Sequence, residues 1–179
     1  MTEGPSGFLV LYKPVGPTSQ SLVNQVRGLL GVRRVGHTGT LDPFAAGVLP
    51  VAVGRANRLI ERVHAYSKCY RAVLRFGVRT TTADLEGEVV KIDPGIPPAL
   101  AAVQSVLPSF LGEIEQTPPA YSAAKVGGRR AYHLARAGET VQLKPRRVTI
   151  HSLEVLSYRG DQLVLDVTCS TGTYVRALG

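Results

Sequence analysis

Cysteine is scarce in this sequence, because its 179 residues contain only Cys69 and Cys169. The two lie far apart, and neither has the close cysteine or histidine neighbours of a structural metal site. The scarcity argues against a disulfide framework, and we expect both thiols to be buried and reduced. No Cys/His cluster is present, so we also expect no metal ion.

Long apolar runs are missing as well. No stretch approaches the roughly 18 uncharged apolar residues of a membrane span. The N-terminal stretch MTEGPSGFLVLYKP has no basic region and no small-residue cleavage site of a signal peptide. We therefore expect a cytoplasmic protein. An apolar content of 44% over 179 residues is enough for one folded domain with a real core.

Acidic residues are depleted in the first half of the chain. Residues 1–80 contain 3 acids against 11 lysines and arginines, whereas residues 81–179 contain 10 of each. The net charge of +8 therefore arises in the first half. Arginine supplies 16 of the 21 cations, and its planar group suits phosphate and stacks on bases. This distribution favours nucleic acid as a partner over a generic basic surface.

Hydrophobic patterns predict both strands and helices. Residues 8–12 indicate a buried strand, and Gly47–Val53 indicates an edge or irregular strand because of Pro50. Thr18 or Ser19 can cap a helix whose apolar stripe ends at Gly31. Further strands are predicted at 69–76, 148–156 and 162–169, and further helices at 57–66, 99–111 and 130–137. This irregular order indicates an α+β fold with a largely antiparallel sheet.

The segment GHTGTLDPFAAGVLP, residues 36–50, contains a single charge, Asp42. Chemistry on a nucleic-acid base requires unstacking it, at a cost of a few kcal/mol, which an aromatic ring and a basic groove can offset. Asp42 is a candidate nucleophile or base, Tyr70 a candidate stacking ring, and Arg176 a cation that could hold the carboxylate ionised.

Each of these residues also has a simpler interpretation. An aspartate before proline commonly forms a turn. Tyr70 alternates with apolar residues and fits a core position, His37 fits a polar loop, and Arg176 fits a solvated surface. HTGT is also similar to the HxGH signature of nucleotidylyl transferases, but Thr40 stands in place of the second histidine.

Five motifs together resemble those of the TruB family of pseudouridine synthases. GHTGTLDPFAAGVLP resembles the catalytic motif, LYKPVGPTS the lysine-proline motif, and KCYRAVLRFGVRTTTADLEGEV the tyrosine motif with its following loop. PPAYSAAKVGGRRAYHLAR resembles the RNA-facing segment and CSTGTYVRALG the arginine motif. The motifs follow the family's order and cover nearly the whole chain.

The resemblance implies a pseudouridine synthase fold, with a central, largely antiparallel mixed sheet flanked by helices. It implies an isomerase that converts uridine to pseudouridine in RNA without a cofactor. The TTTADLEGEV loop and the motif spacings resemble the bacterial stand-alone members, so the expected target is uridine 55 in the T arm of tRNA. The expected state is a monomer. Two alternatives stay open: guide-RNA-directed modification, and an RNA-binding module without chemistry.

The resemblance also implies roles for particular residues. Asp42 is expected to be the nucleophile, Tyr70 to stack on the flipped uracil and remove a proton, and Arg176 to pair with Asp42. His37 is expected to displace the target base, and Tyr174 to pack along the bound nucleotide.

Supporting roles follow in the same way. Lys13 is expected to support the loop of Asp42. The RNA backbone is expected to contact Lys125, Arg129 and Arg130.

The sequence departs from the family in its length. It ends three residues after Arg176, where the family continues through more of the catalytic core and a C-terminal RNA-binding domain. We therefore expect residues 1–179 to be a catalytic domain that is incomplete at its C-terminal end and lacks that second domain.

Overall fold

A three-stranded antiparallel sheet and one long helix organise the N-terminal part of the chain. The computed structural model describes residues 4–93, 95–122 and 124–178, apart from the side chains of Lys125 and Arg136, and divides the chain into two units, Met1–Tyr66 and Ser67–Gly179. In the first unit the strand order is β1-β3-β2. These strands are β1 (Gly7–Lys13), β2 (Val35–His37) and β3 (Gly47–Val53). The prediction that the strand at residues 8–12 is buried is wrong, since Val10 and Tyr12 are 72% and 70% exposed.

Helix α1 (Ser19–Leu30) packs against this sheet and confirms the predicted helix with both of its ends. The Thr18 hydroxyl accepts a hydrogen bond from the Ser21 amide at 3.1 Å, as an N-cap does. Gly31 ends the helix in the left-handed region, with φ of 63°. The predicted apolar stripe is wrong at its last turn, where Leu29 is 85% exposed. The core consists of Leu22, Val23, Val26, Val35, Leu49, Val51 and Val53.

Strand β3 is the central strand of the sheet, so the prediction of an edge strand from Pro50 is wrong. Pro50 lies opposite Val10 of β1, and its carbonyl accepts a hydrogen bond from the Thr38 amide at 3.0 Å. The amide and carbonyl of one strand residue point the same way, so the missing N–H of Pro50 faces the β2 side, just past the end of β2. No hydrogen bond to β1 is lost, which is why a central strand tolerates this proline.

The first unit ends in a 3-10 turn, Gly54–Leu59, and helix α2 (Ile60–His64). The predicted helix at 57–66 is therefore shorter and begins as a tighter turn. Asn57 stabilises this junction, because its side-chain amide donates to the carbonyls of Arg34, Ala52 and Gly54 at 3.1 Å each.

The second unit contains a four-stranded antiparallel sheet in the order β4-β11-β10-β7. These strands are β4 (Lys68–Arg75), β7 (Gly112–Gln116), β10 (Arg146–Arg159) and β11 (Gln162–Cys169). Helix α3 (Leu100–Val106) contributes Val103 to the core of this unit, together with Ile150, Leu163, Leu165, Val167 and Cys169.

Two small hairpins and a short helix also lie in this unit. One hairpin pairs β5 (Val78–Thr80) with β6 (Val89–Ile92), and the other pairs β8 (Lys125–Val126) with β9 (Arg129–Arg130). Helix α4 spans Ala131–Arg136. The predicted α+β class and antiparallel pairing are confirmed. Among the described residues, no helix combines the length and apolar character that a membrane crossing requires.

The two cysteines differ in environment, so the expectation that both are buried is wrong for Cys69. Both are free thiols, Cys69 exposed and Cys169 buried. The alternation along β4 places Tyr70 toward the core, and Cys69 therefore falls on the other face. Burial raises the pKa of the Cys169 thiol, which lowers its thiolate fraction at neutral pH.

A thiol reagent is therefore expected to label Cys69 at least about tenfold faster than Cys169 in the folded protein. The measurement is the time course of modification by a maleimide, resolved by peptide mass spectrometry. Cys69→Ser should remove the fast phase only. Equal rates at the two thiols would contradict the difference in burial.

Candidate functional site

Asp42 lies at the start of a tight turn between β2 and β3. The Ala45 amide donates to the Asp42 carbonyl at 3.0 Å, and Pro43 occupies the second position, where its fixed φ suits such a turn. The residue is half-buried. The turn-forming interpretation of Asp42 is therefore confirmed. It does not conflict with a catalytic role, because the backbone carbonyl accepts the hydrogen bond that closes the turn.

Lys13, the last residue of β1, holds this turn through hydrogen bonds of its side chain. Its side chain is fully buried. The ammonium group donates to the carbonyls of Pro14 at 3.0 Å, Pro43 at 3.2 Å and Ala45 at 2.6 Å. Three donors on three acceptors offset the cost of burying the charge. The Gly16 amide adds a further hydrogen bond to the Pro43 carbonyl at 2.9 Å.

His37 ends β2 opposite Val51 of β3, in the same unit as Asp42. The next residue, Thr38, is buried. The chain then passes through the exposed residues Gly39 and Thr40 before it reaches Asp42. The structure therefore places the imidazole on a strand end and the carboxylate on a turn a few residues further along.

Tyr70 lies on β4 opposite Val167 of β11. It is half-buried and packs against the core of the second unit. The prediction that Tyr70 packs against the core, made from its alternation with apolar residues, is therefore confirmed. Part of its surface stays open to solvent, which a stacking ring also requires.

Arg176 lies in the 3-10 turn Val175–Ala177 and forms a buried ion pair with Asp84. Its guanidinium donates to the Asp84 carboxylate at 3.2 Å, the Thr82 carbonyl at 2.9 Å and the Tyr121 carbonyl at 2.6 Å. The side chains of Arg176 and Asp84 are only 6% and 4% exposed. The interpretation of Arg176 as a solvated cation is therefore wrong.

The loop between β5 and β6 is shaped around Asp84, a residue that the sequence reasoning missed. The second carboxylate oxygen accepts from the Thr82 hydroxyl and from the Glu86 amide. Ala83 adopts a φ of 58°, which is rare for a residue other than glycine. A side chain at Gly87 would meet the Thr82 amide nitrogen at 2.7 Å, so only glycine fits there. The single aspartate of TTTADLEGEV was the available signal.

Gln116, at the end of β7, holds the arginine motif in a second way. Its side-chain amide donates to the Tyr174 carbonyl at 2.9 Å, and its side-chain oxygen accepts from the Tyr174 amide at 2.8 Å. Gln116 is buried, so this reciprocal pair fixes the backbone two residues before Arg176. Sequence reasoning missed Gln116 because nothing local marks its partner, 58 residues away.

The predicted RNA-facing cations lie on the β8–β9 hairpin. Gly127 and Gly128, with φ of 56° and 82°, form its two-residue turn. Arg129 forms an exposed ion pair with Glu139 at 3.1 Å, and Arg130 is exposed. The side chain of Lys125 lies outside the described part of the chain. An exposed pair of this kind is worth about 1 kcal/mol or less, so a phosphate can compete for Arg129.

Known proteins similar to this chain point to one family. The model of the "TruB family pseudouridylate synthase (N terminal domain)" matches residues 27–175. The tRNA pseudouridine synthase B of Synechocystis sp. is 54% identical over 175 residues, which cover 96% of this chain and 59% of the relative. The tRNA pseudouridine synthase B of Symbiobacterium thermophilum is 53% identical, over 96% of this chain and 58% of the relative. The chain therefore spans about three fifths of the length of these curated relatives.

Solved structures give a consistent result. The crystal structure of a Cbf5-Nop10-Gar1 complex matches with a TM-score of 0.68 and 30% identity, covering 96% of this chain and 42% of that chain. A structure of an H/ACA RNP bound to a substrate RNA containing 2'-deoxyuridine matches with a TM-score of 0.65 and 28% identity, with coverages of 96% and 40%.

Proposed function

The chain belongs to the TruB family of pseudouridylate synthases, and from this membership we propose that it is the catalytic part of an isomerase that converts uridine to pseudouridine in tRNA. The names of its curated relatives, which are 54% and 53% identical to this chain, support this activity. The observation that carries the proposal is the Asp42 turn, in which a buried ammonium group fixes the carbonyls of Pro43 and Ala45 beside the candidate nucleophile.

The reaction needs no external atom or electron. The bond between ribose C1′ and uracil N1 breaks, and a bond between C1′ and C5 forms. The proton on C5 leaves and N1 gains one, so substrate and product have the same composition. A carboxylate serves this sequence whether it attacks the ribose, attacks the ring or promotes formation of a glycal.

Asp42 acts as the nucleophile in this proposal. A tight turn with a fixed backbone leaves the carboxylate few conformations, and this lowers the entropic cost of reaching the reacting atom. Arg176 is proposed to pair with Asp42 in the working enzyme. The resemblance of CSTGTYVRALG to the family's arginine motif supports this pairing. The buried contacts of Arg176 with Asp84, Thr82 and Tyr121 hold its guanidinium in one orientation.

Tyr70 is proposed to stack on the flipped uracil and to take the C5 proton. Its half-buried ring on a regular strand supports this role. His37 is proposed to fill the place that the target base vacates, and Tyr174, with its backbone fixed by Gln116, to pack along the nucleotide. The turn contacts of Lys13 support its proposed role as the loop support.

The proposed target is uridine 55 in the T arm of tRNA, modified by a monomeric enzyme in the cytoplasm. Contacts of Lys125, Arg129 and Arg130 with backbone phosphates would position the arm without reading its sequence. The second candidate is guide-RNA-directed modification, which the likeness to the Cbf5-containing complex favours. Identity to the tRNA pseudouridine synthase B relative is higher, 54% against 30%, and we therefore place the stand-alone reaction first.

The test is release of tritium from a tRNA transcript labelled at uracil C5, with the purified protein and no other macromolecule. The proposal predicts multiple turnovers on this transcript and none on a transcript with cytidine at position 55. Turnover only after a guide RNA is added would favour the second candidate. Tight, salt-sensitive binding with no tritium release would indicate an RNA-binding module without chemistry.

A further inference from the structure

Ser19, the first residue of α1, makes two hydrogen bonds to the residue that precedes Asp42. Its hydroxyl accepts from the Leu41 amide at 2.9 Å and donates to the Leu41 carbonyl at 3.1 Å. The side chain is buried, with 2% exposure. One hydroxyl therefore satisfies both backbone polar groups of Leu41.

The position of Ser19 in the helix does not explain these bonds. Thr18 already supplies the N-cap, since its hydroxyl accepts from the Ser21 amide. Ser21 behaves as serine commonly does in a first turn, because its hydroxyl donates to the Thr18 carbonyl at 2.7 Å. Ser19 instead reaches across 22 residues to the Asp42 turn.

With the Ser19 contact, hydrogen bonds hold the backbone both before and after Asp42. Lys13 and Gly16 hold the backbone after Asp42, at Pro43 and Ala45. Before Asp42, the chain is exposed at Gly39 and Thr40. Ser19 therefore supplies hydrogen bonds that fix the residue directly before Asp42, so that the backbone is held on both sides of the carboxylate.

We propose that Ser19 is a positioning residue for Asp42, which holds the Leu41 backbone so that the carboxylate meets the substrate in a productive geometry. The proposal rests on the proposed function in one respect, the role of Asp42 as nucleophile. The two hydrogen bonds themselves can be tested without any activity.

The experiment compares Ser19→Ala with Ser21→Ala, a matched loss of one hydroxyl from the same helical turn. Hydrogen exchange of the Leu41 amide, measured by NMR in the free protein, is expected to speed up by about tenfold or more in Ser19→Ala. Ser21→Ala is expected to leave that amide unchanged. If Ser19→Ala does not fold, Ser19→Cys keeps a weaker donor and acceptor, and a smaller acceleration is expected.

The kinetic part measures tritium release with the same variants. Ser19→Ala is expected to lower kcat by about 10- to 100-fold, with KM within about twofold, because a misplaced nucleophile affects the reacting step and not tRNA binding. Ser21→Ala is expected to match the wild-type protein in both constants.

The outcomes separate the two proposals. An unchanged exchange rate of the Leu41 amide in Ser19→Ala would show that the Ser19 hydroxyl does not hold the Leu41 backbone, and would overturn the proposal. Faster exchange with unchanged kcat, or a rise in KM alone, would overturn the positioning role and leave the proposed function intact. A wild-type protein that releases no tritium would overturn the proposed function and the positioning role together, while the exchange rates would still report the hydrogen bonds.

Discussion

The substitution Asp42→Asn is expected to lower the rate of pseudouridine formation by at least about four orders of magnitude, a loss typical of enzymes whose nucleophile is removed. The amide is close in size to the carboxylate but is a far poorer nucleophile. Asparagine also suits the first position of the turn that Pro43 continues. Thermal stability should therefore stay near the wild-type value, so that the rate loss reports chemistry.

The chain contains a natural control, because Asp93 is its only other aspartate that precedes a proline. The Asp93 carboxylate accepts a hydrogen bond from the Gly95 amide at 3.1 Å in an exposed loop. Asp93→Asn is expected to leave tritium release unchanged. A similar rate loss in both variants would indicate a general effect of removing charge, and wild-type activity in Asp42→Asn would refute the nucleophile.

Replacement of Arg176 by methionine is expected to remove most turnover and to lower the free energy of unfolding by about 3–5 kcal/mol. The large effect on stability arises because Asp84 would remain buried without its cation. The carbonyls of Thr82 and Tyr121 would also lose a donor. Stability is measured by urea unfolding and turnover by tritium release.

Arg147 provides a matched comparison for this effect. Its ion pair with Glu113 has the same 3.2 Å separation as the Arg176–Asp84 pair, but its side chain is 72% exposed. Arg147→Met is therefore expected to cost about 1 kcal/mol or less. Equal losses of stability for the two variants would contradict the account of a buried pair.

A double variant separates stability from catalysis at this site. Arg176→Met with Asp84→Asn removes the buried unpaired charge, so part of the lost stability should return. Turnover should not return, because Asp42 still lacks its cation. Recovery of activity in the double variant would refute the proposed pairing of Arg176 with Asp42.

The elements that local sequence determines were predicted best. The first and last residues of β11 and β3 follow from their apolar alternation or composition, and α1 from its cap at Thr18 and its left-handed end at Gly31. The strand β2 has only three residues, too few for a periodic pattern, and the edge strand β7 (GEIEQ) has a single large apolar residue, Ile114. Their pairing depends on neighbours distant in sequence.

The site was predicted in part, for the same physical reason. Asp42 stands out locally, since it is the single charge of its segment. Asp84 and Gln116 do not, because their importance comes from Arg176 and Tyr174, which fold against them from 92 and 58 residues away. The edge position predicted from Pro50 is wrong for a similar reason. A central strand tolerates a proline only where no neighbouring strand needs its missing N–H group. That condition depends on where β2 ends, which the sequence around Pro50 does not show.

The most direct test of the proposed function is the fraction of pseudouridine at position 55 of tRNA in cells that lack the gene for this chain. We expect unmodified uridine there, full modification when the wild-type gene is returned, and none when the returned gene carries Asp42→Asn. Pseudouridine at position 55 in the cells without the gene, or its restoration by the Asp42→Asn gene, would contradict the account.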